Sequence, residues 1–193
     1  GKVLALTFDD GPHPTYTPQV LKILKDKGVP ATFCTVGTQV QAHPELVQQI
    51  VDGGHQICNH TLNHVEGLET QPKEKVEAEI SGGRKAIVDS GGGEPAFYRP
   101  PGGSLGPVIY DVAAEDHEAV LYWSIDPRDW KKPSSDELLN NVVNQLKPGG
   151  IILLHDGGGD REATIAALPA IIDYAEALGY TFVVPISGRP QVG

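Results

Sequence analysis

The chain has 193 residues, with 15 Lys plus Arg against 25 Asp plus Glu and a formal net charge of −10. That is the size of one ordinary domain, long enough to bury a core without disulfide or oligomer support, so a monomer is expected, and the acidity argues against nucleic acid or an anionic membrane surface as partner. No apolar run approaches the ~20 residues that span a bilayer, the first residues lack a signal-peptide pattern, and a neutral or cationic substrate suits the charge better.

Taken in chain order, short apolar runs alternate with helical patterns, the signature of βα units around a parallel sheet. A first strand is expected over 3–8, and it finishes on Asp9 and Asp10 before an immediate turn at Gly11 and Pro12. The segment "TPQVLKILKDKG" predicts a helix with Thr17 as N-cap, Pro18 at the first helical position, Val20, Leu21, Ile23 and Leu24 on one stripe, and Gly28 past the end. A second strand over 31–36 and a third over 55–59 flank a helix that opens at Pro44, and another helix opens at Pro72. Strands follow over 96–99 and 119–124. "SSDELLNNVVNQLKPGG" opens with a capping box, Ser134 and Glu137, and should bury Leu138, Leu139, Val142, Val143 and Leu146. A sixth strand over 150–155 precedes a helix around 164–178 that carries Pro169, which predicts a kink or a later start. A seventh strand is expected over 181–185. The glycine clusters at 91–93 and 157–159 read as loops, without the context of a phosphate cradle. Seven strands with intervening helices fit a distorted, incomplete (β/α) barrel better than an open sheet, in a single domain covering 1–193.

Cys34 and Cys58 are too few for a disulfide scaffold. They fall in neighbouring strands, where parallel partners rarely orient two Cβ atoms for a bridge, so buried free thiols are preferred to a disulfide.

The polar residues collect at strand ends. Asp9 and Asp10 follow the first strand, His60 and His64 the third, Arg99 closes the fourth, Asp126 and Asp129 follow the fifth, and His155 and Asp156 end the sixth. In parallel α/β architectures the carboxyl ends form one face, so these scattered residues can converge. "HTLNH" sets His60 and His64 at i and i+4, which on a helical turn would project both imidazoles to one side. Alone, that spacing is as compatible with two surface histidines; with a carboxylate from the Asp pair it becomes a three-ligand set that leaves open positions for water or substrate. Adjacent residues of an extended segment point apart, so Asp9 and Asp10 should differ in role, one on a metal and one toward the substrate water. The glycosylation pattern at Asn59 coincides with a buried strand end and reads as a false positive.

In order, "TFDDGP", "HTLNH", "RPPGG", "DPRDW" and "LLHD" resemble the five motifs of the polysaccharide deacetylase family, also called the NodB-like domain or carbohydrate esterase family 4. The resemblance spans Thr7 to Asp156 and implies a distorted (β/α) barrel with one divalent metal ion, Zn²⁺ first, with Co²⁺, Ni²⁺ or Mn²⁺ as alternatives. It implies Asp9 as general base, Asp10, His60 and His64 as metal ligands and His155 as general acid. Arg99 would pair with Asp9 and Asp129 would tether His155. Trp130 and Leu153 would wall a pocket for an acetyl methyl, although Trp130 also reads as an ordinary core or surface aromatic. One departure stands out: Gly102 occupies the place where the family usually has Tyr, so a backbone N–H for an oxyanion persists while a side-chain wall of the groove is lost. The implied activity is removal of acetyl groups from a glycan: chitin or its oligomers first, acetylated xylan second, peptidoglycan third. A non-catalytic glycan-binding domain and an amidase acting on a small amide are the readings outside that class. Because the chain opens at Gly1 without Met, it reads as a mature or excised domain, and a secreted or cell-envelope location is expected.

Overall fold

In the computed structural model, which describes residues 1–187, seven parallel strands are wrapped by helices. They are β1 (Val3–Asp9), β2 (Thr32–Thr35), β3 (Gln56–Asn59), β4 (Phe97–Tyr98), β5 (Ala119–Val120), β6 (Gly150–His155) and β7 (Thr181–Phe182). The order across the sheet is β5-β4-β3-β2-β1-β6, with β7 beside the start of β1. Beyond β5 the chain continues to Ile125, which bridges Ile152 of β6. The segment leaving one edge of the sheet thus reaches the other edge, and this is the distorted barrel expected from the strand count.

The pleat sorts the residues. Leu4, Leu6 and Phe8 pack with Phe33, Ile57, Ile152 and Leu154 against the surrounding helices, forming the main core. The alternate residues of the same strands point the other way. Among these, Thr7 pairs in register with Leu153, Asp9 with both Cys34 and His155, and Cys34 with Cys58. Cys34 and Cys58 are buried free thiols, and burial first, then the neighbouring Cys58, pushes the Cys34 thiol well above its usual range.

The helices are α1 (Thr17–Lys27), α2 (Gly37–Ala42), α3 (Pro44–Asp52), α4 (Lys73–Asp89), α5 (Pro107–Glu115), α6 (Ser135–Val143) and α7 (Glu162–Ala177). The capping box of α6 forms as expected. Leu138 and Val142 are fully buried there, while Leu139, Val143 and Leu146 are only partly so. Three expectations are corrected. Thr17 is not the N-cap of α1; Tyr16 holds that position without a side-chain cap, and the Thr17 hydroxyl is buried and donates to Asp156 instead. Pro169 does not delay α7, which starts earlier than the pattern suggests and runs through it. The strands at 96–99, 119–124 and 181–185 are each reduced to two residues of ladder.

The loop after β3 depends on α4. Leu62 N–H donates to the Glu79 carbonyl, and Asn63 donates through its backbone and side-chain N–H groups to the Glu79 carboxylate, each at 2.9 Å. Gly83 of α4 lies against Asn59 and Thr61 so closely that a Cβ there would come within 2.8 Å of the Thr61 carbonyl carbon. In an open helix Gly→Ala stabilises by roughly 0.5–1 kcal/mol. Here Gly83→Ala is expected to have the opposite sign, destabilising by about 1–3 kcal/mol, as measured by urea denaturation against wild type.

Candidate active site

Two features fix the end of β1. Asp9 is the last residue of the strand and Asp10 leaves it with φ 79, in the left-handed region, so the two carboxyl groups diverge. Asp9 Oδ1 accepts from Arg99 Nη1 at 2.9 Å. Asp10 Oδ1 lies 3.3 Å from His60 Nε2 and 3.2 Å from His64 Nε2. The turn itself rests on Asp156, whose N–H donates to the Asp9 carbonyl and whose carboxylate abuts Gly11, where a Cβ would come within 2.6 Å of Oδ1. Burial, partly offset by the Thr17 hydroxyl and reinforced by Asp10 and Asp9, pushes the Asp156 carboxyl up to about 7.

The histidines converge, though not through a helix. Residues 60–64 form a bend in which Thr61 and His64 both take positive φ, 70 and 57, and the ring centroids end 5.0 Å apart. The i, i+4 expectation therefore held for the outcome and failed for its cause, since Asn59 and Glu79 hold the bend through hydrogen bonds to Thr61 N–H and Asn63. His60 Nδ1 is 2.7 Å from the Arg99 carbonyl oxygen. A carbonyl can only accept, so Nδ1 carries a proton and Nε2 is the nitrogen left to ligate a cation.

One ligand atom each from Asp10, His60 and His64 lie within 4.8 Å of one another. Asp10 Oδ1 is buried without a hydrogen-bond donor, a condition that a bound cation relieves, and an N,N,O donor set suits Zn²⁺ and neighbouring divalent ions. The residues therefore fit a divalent metal ion. Burial opposes ionisation of Asp10, but His60 and His64 outweigh it and hold the carboxyl well below the usual carboxylate range. The second oxygen of Asp10 faces Arg161 Nη2 at 3.8 Å, and Arg161 is buried and anchored by its Nε–H to the Gly157 carbonyl at 2.7 Å. Sequence reasoning missed Arg161; the available signal was a single basic residue after the glycine run of "HDGGGDRE".

On the neighbouring strand end, His155 is bound by Asp129 twice. Nδ1–H donates to Oδ1 at 2.7 Å and the backbone N–H donates to Oδ2 at 2.8 Å, while Thr164 Oγ1, also missed from sequence, donates to Oδ2 at 2.8 Å. Burial resists charging the imidazole, but the Asp129 hydrogen bond and charge, aided by Asp9 and Asp10, push it up to about 9. Of the remaining expected residues, Leu153 is buried in β6, Trp130 is 49% exposed beside Asp129, and Gly102 has φ 64 in the short turn Pro101–Gly103. Asp126 does not join them. Its Oδ1 accepts the Arg128 N–H and its backbone binds the Gln145 amide. A cleft of about 520 Å³ opens beside Asp10 and His64, lined also by His13, Gln39 and Asn63.

Residues 1–118 match the family model described as polysaccharide deacetylase. The chain is 45% identical over 184 residues to a peptidoglycan-N-acetylglucosamine deacetylase of Bacillus cereus, covering 94% of this chain and 85% of that protein. It is 38% identical over 182 residues to a chitooligosaccharide deacetylase of Rhizobium leguminosarum bv. phaseoli, covering 88% of this chain and 79% of that one. The solved family 4 carbohydrate esterase from Streptomyces lividans, in complex with acetate, superposes with a TM-score of 0.89 at 31% identity, covering 100% of this chain and 96% of the other.

Two outcomes follow from this geometry. Substituting Arg161→Gln removes the charge facing the second oxygen of Asp10 and should weaken zinc binding about 10–100-fold, while Asp10→Ala should abolish it; calorimetric titration of metal-stripped protein measures both. Because the folded pKa of His155 lies above its unfolded value of about 6.5, the stabilisation it supplies is complete below pH 6.5 and is lost as pH rises through about 9. The stability gap between metal-free wild type and Asp129→Asn should therefore be larger at pH 6 than at pH 10, by chemical denaturation at each pH.

Proposed function

The chain belongs to the polysaccharide deacetylase family, and on that premise we propose that it hydrolyses the acetamide of N-acetylglucosamine residues in a glycan, releasing acetate and leaving the free amine. The observation that carries the reading is the register match of Asp9 with His155 on adjacent strand ends, a carboxylate paired with buried Arg99 facing an imidazole pushed up to about 9 beside Asp129. A carboxylate fixed by arginine next to a raised imidazole offers a base and an acid on one face.

Asp10, His60 and His64 are the residues to hold a divalent ion, with Zn²⁺ the first candidate. Such an ion supplies Lewis acidity toward the acetyl carbonyl and the attacking water when bound. Asp9 accepts the proton of that water as its oxygen bonds the carbonyl carbon. Arg99 keeps the accepting carboxylate fixed toward the cleft. As the C–N bond breaks, His155 passes its Nε2 proton to the departing nitrogen, and Asp129 holds the ring through Nδ1–H. The backbone N–H at Gly102 is assigned to the developing oxyanion, and Trp130 and Leu153 to the acetyl methyl. An amide nitrogen must be protonated to leave, so an imidazole still protonated at neutral pH suits N-deacetylation. The relatives named for peptidoglycan and for chitooligosaccharides share the N-acetylglucosamine unit, and a glycan of the cell envelope or outside the cell is the substrate this reading favours.

Metal-stripped protein reloaded with Zn²⁺ should release acetate from N-acetylchitooligosaccharides or peptidoglycan fragments in preference to acetylated xylan. Asp9→Asn should lower kcat about 10²–10⁴-fold without loss of metal. Release from xylan alone would replace the amide reading with an ester one, and no release from any of the three would refute it.

A further inference from the structure

Beyond the reacting groups, an aromatic stack sits over Arg99 that none of the assigned roles uses. Arg99 lies beneath the Trp123 ring, its Cζ 5.7 Å from the centroid, and Tyr122 stacks on Trp123 with centroids 4.2 Å apart and planes inclined by 15°. Arg99 also donates to the backbone carbonyls of Leu121 and Tyr122, each at 3.1 Å, while binding Asp9. The stack is therefore built on the same guanidinium that fixes Asp9. Tyr122, its outermost member, is 42% exposed although one ring face is covered by Trp123.

Tyr122 is held at a second point. Its hydroxyl donates to the Gly103 carbonyl at 3.3 Å, and a Cβ at Gly103 would come within 2.5 Å of that hydroxyl oxygen. Gly102 and Gly103 both take positive φ, 64 and 75, so the turn after Arg99 presents bare backbone where the ring leans on it. A tyrosine anchored by stacking and by its hydroxyl is a rigid surface with an apolar face, and little side-chain entropy remains to be lost on contact. Beside the turn that carries Gly102, such a face matches the C–H face of a pyranose ring, with hydroxyls left to water.

The geometry points to Tyr122 as a specificity-determining residue that stacks a sugar ring neighbouring the one that reacts. This rests on the glycan reading above. Its occupant is one more sugar residue of the same glycan, because the Tyr122 ring is seated on Gly103, next to the Gly102 N–H assigned to the oxyanion, and contact energy gathered there is available at the reacting ring.

The test compares wild type, Tyr122→Phe and Tyr122→Ala on an N-acetylglucosamine pentamer and on a small acetyl ester, with the pentamer's binding to metal-free protein followed by Trp fluorescence. For Tyr122→Ala the ratio of kcat/KM on pentamer to that on ester should fall roughly 10-fold and pentamer binding should weaken by a similar factor. Tyr122→Phe, which keeps the ring, should retain most of both. An unchanged ratio, or equal losses on pentamer and ester, would overturn the assignment, the latter indicating support of Arg99 instead. If wild type releases no acetate from the pentamer the deacetylation reading fails, and the binding arm still decides for Tyr122: weaker binding by Tyr122→Ala upholds the platform, while equal binding, or none by wild type, refutes it.

Discussion

The ion pair of Arg99 and Asp9 is the contact from which the site is organised. Arg99 is fully buried, and a buried charge is tolerated only when paired and fully hydrogen-bonded. Its side chain meets that condition through Asp9, Thr7 and the carbonyls of Leu121 and Tyr122, and its backbone N–H donates to the Asn59 carbonyl. Its own carbonyl accepts from His60. One residue therefore ties β1, the end of β3 and the segment after β5 together, fixes the tautomer of His60, and aims Asp9. A buried ion pair is weak evidence for stability, since desolvation offsets the attraction. Its value here lies in placement.

Around that pair, charge is distributed so that neighbouring groups do different work. Asp9 and Asp10 are adjacent in sequence but face Arg99 and the two imidazoles respectively, because Asp10 leaves the strand in the left-handed region. Arg161 faces the oxygen of Asp10 that the histidines do not, which favours a carboxylate offering one oxygen to a cation. On the other side, Asp129 is satisfied by a backbone N–H, a hydroxyl and the imidazole, and this over-determined position keeps His155 both protonated and oriented. The floor beneath these groups is apolar, with Leu153 and the paired Cys34 and Cys58, so the local dielectric is low and each pairing counts for more.

The parallel barrel and the face bearing the site were legible in the sequence because strand ends are marked locally, by an apolar run stopping at a polar residue. The pairs Asp9 with Arg99 and Asp129 with His155 were legible only through the family resemblance, since they join residues 90 and 26 positions apart. What stayed hidden shares one cause: it depends on tertiary contact. Thr17 looks like a helix cap by local rule but spends its hydroxyl on Asp156 across the barrel. The His60 to His64 bend looks helical by spacing but is held by Glu79 from α4. Arg161 and Thr164 carry no periodic signal, and Asp126 followed the strand-end rule yet turned to Gln145. Gly102 reads as the loss of a wall, while the Tyr122 that stacks on Trp123 and leans on the neighbouring Gly103 lies 19 residues beyond Gly103.

The central claim is that Asp10, His60 and His64 form one cation site, and X-ray absorption at the zinc edge of zinc-reconstituted protein tests it most directly. The account predicts a single zinc per chain with scattering from two imidazoles and oxygen ligands otherwise, reduced to one imidazole in His64→Ala. A spectrum without imidazole scattering, or one unchanged by that substitution, would contradict it.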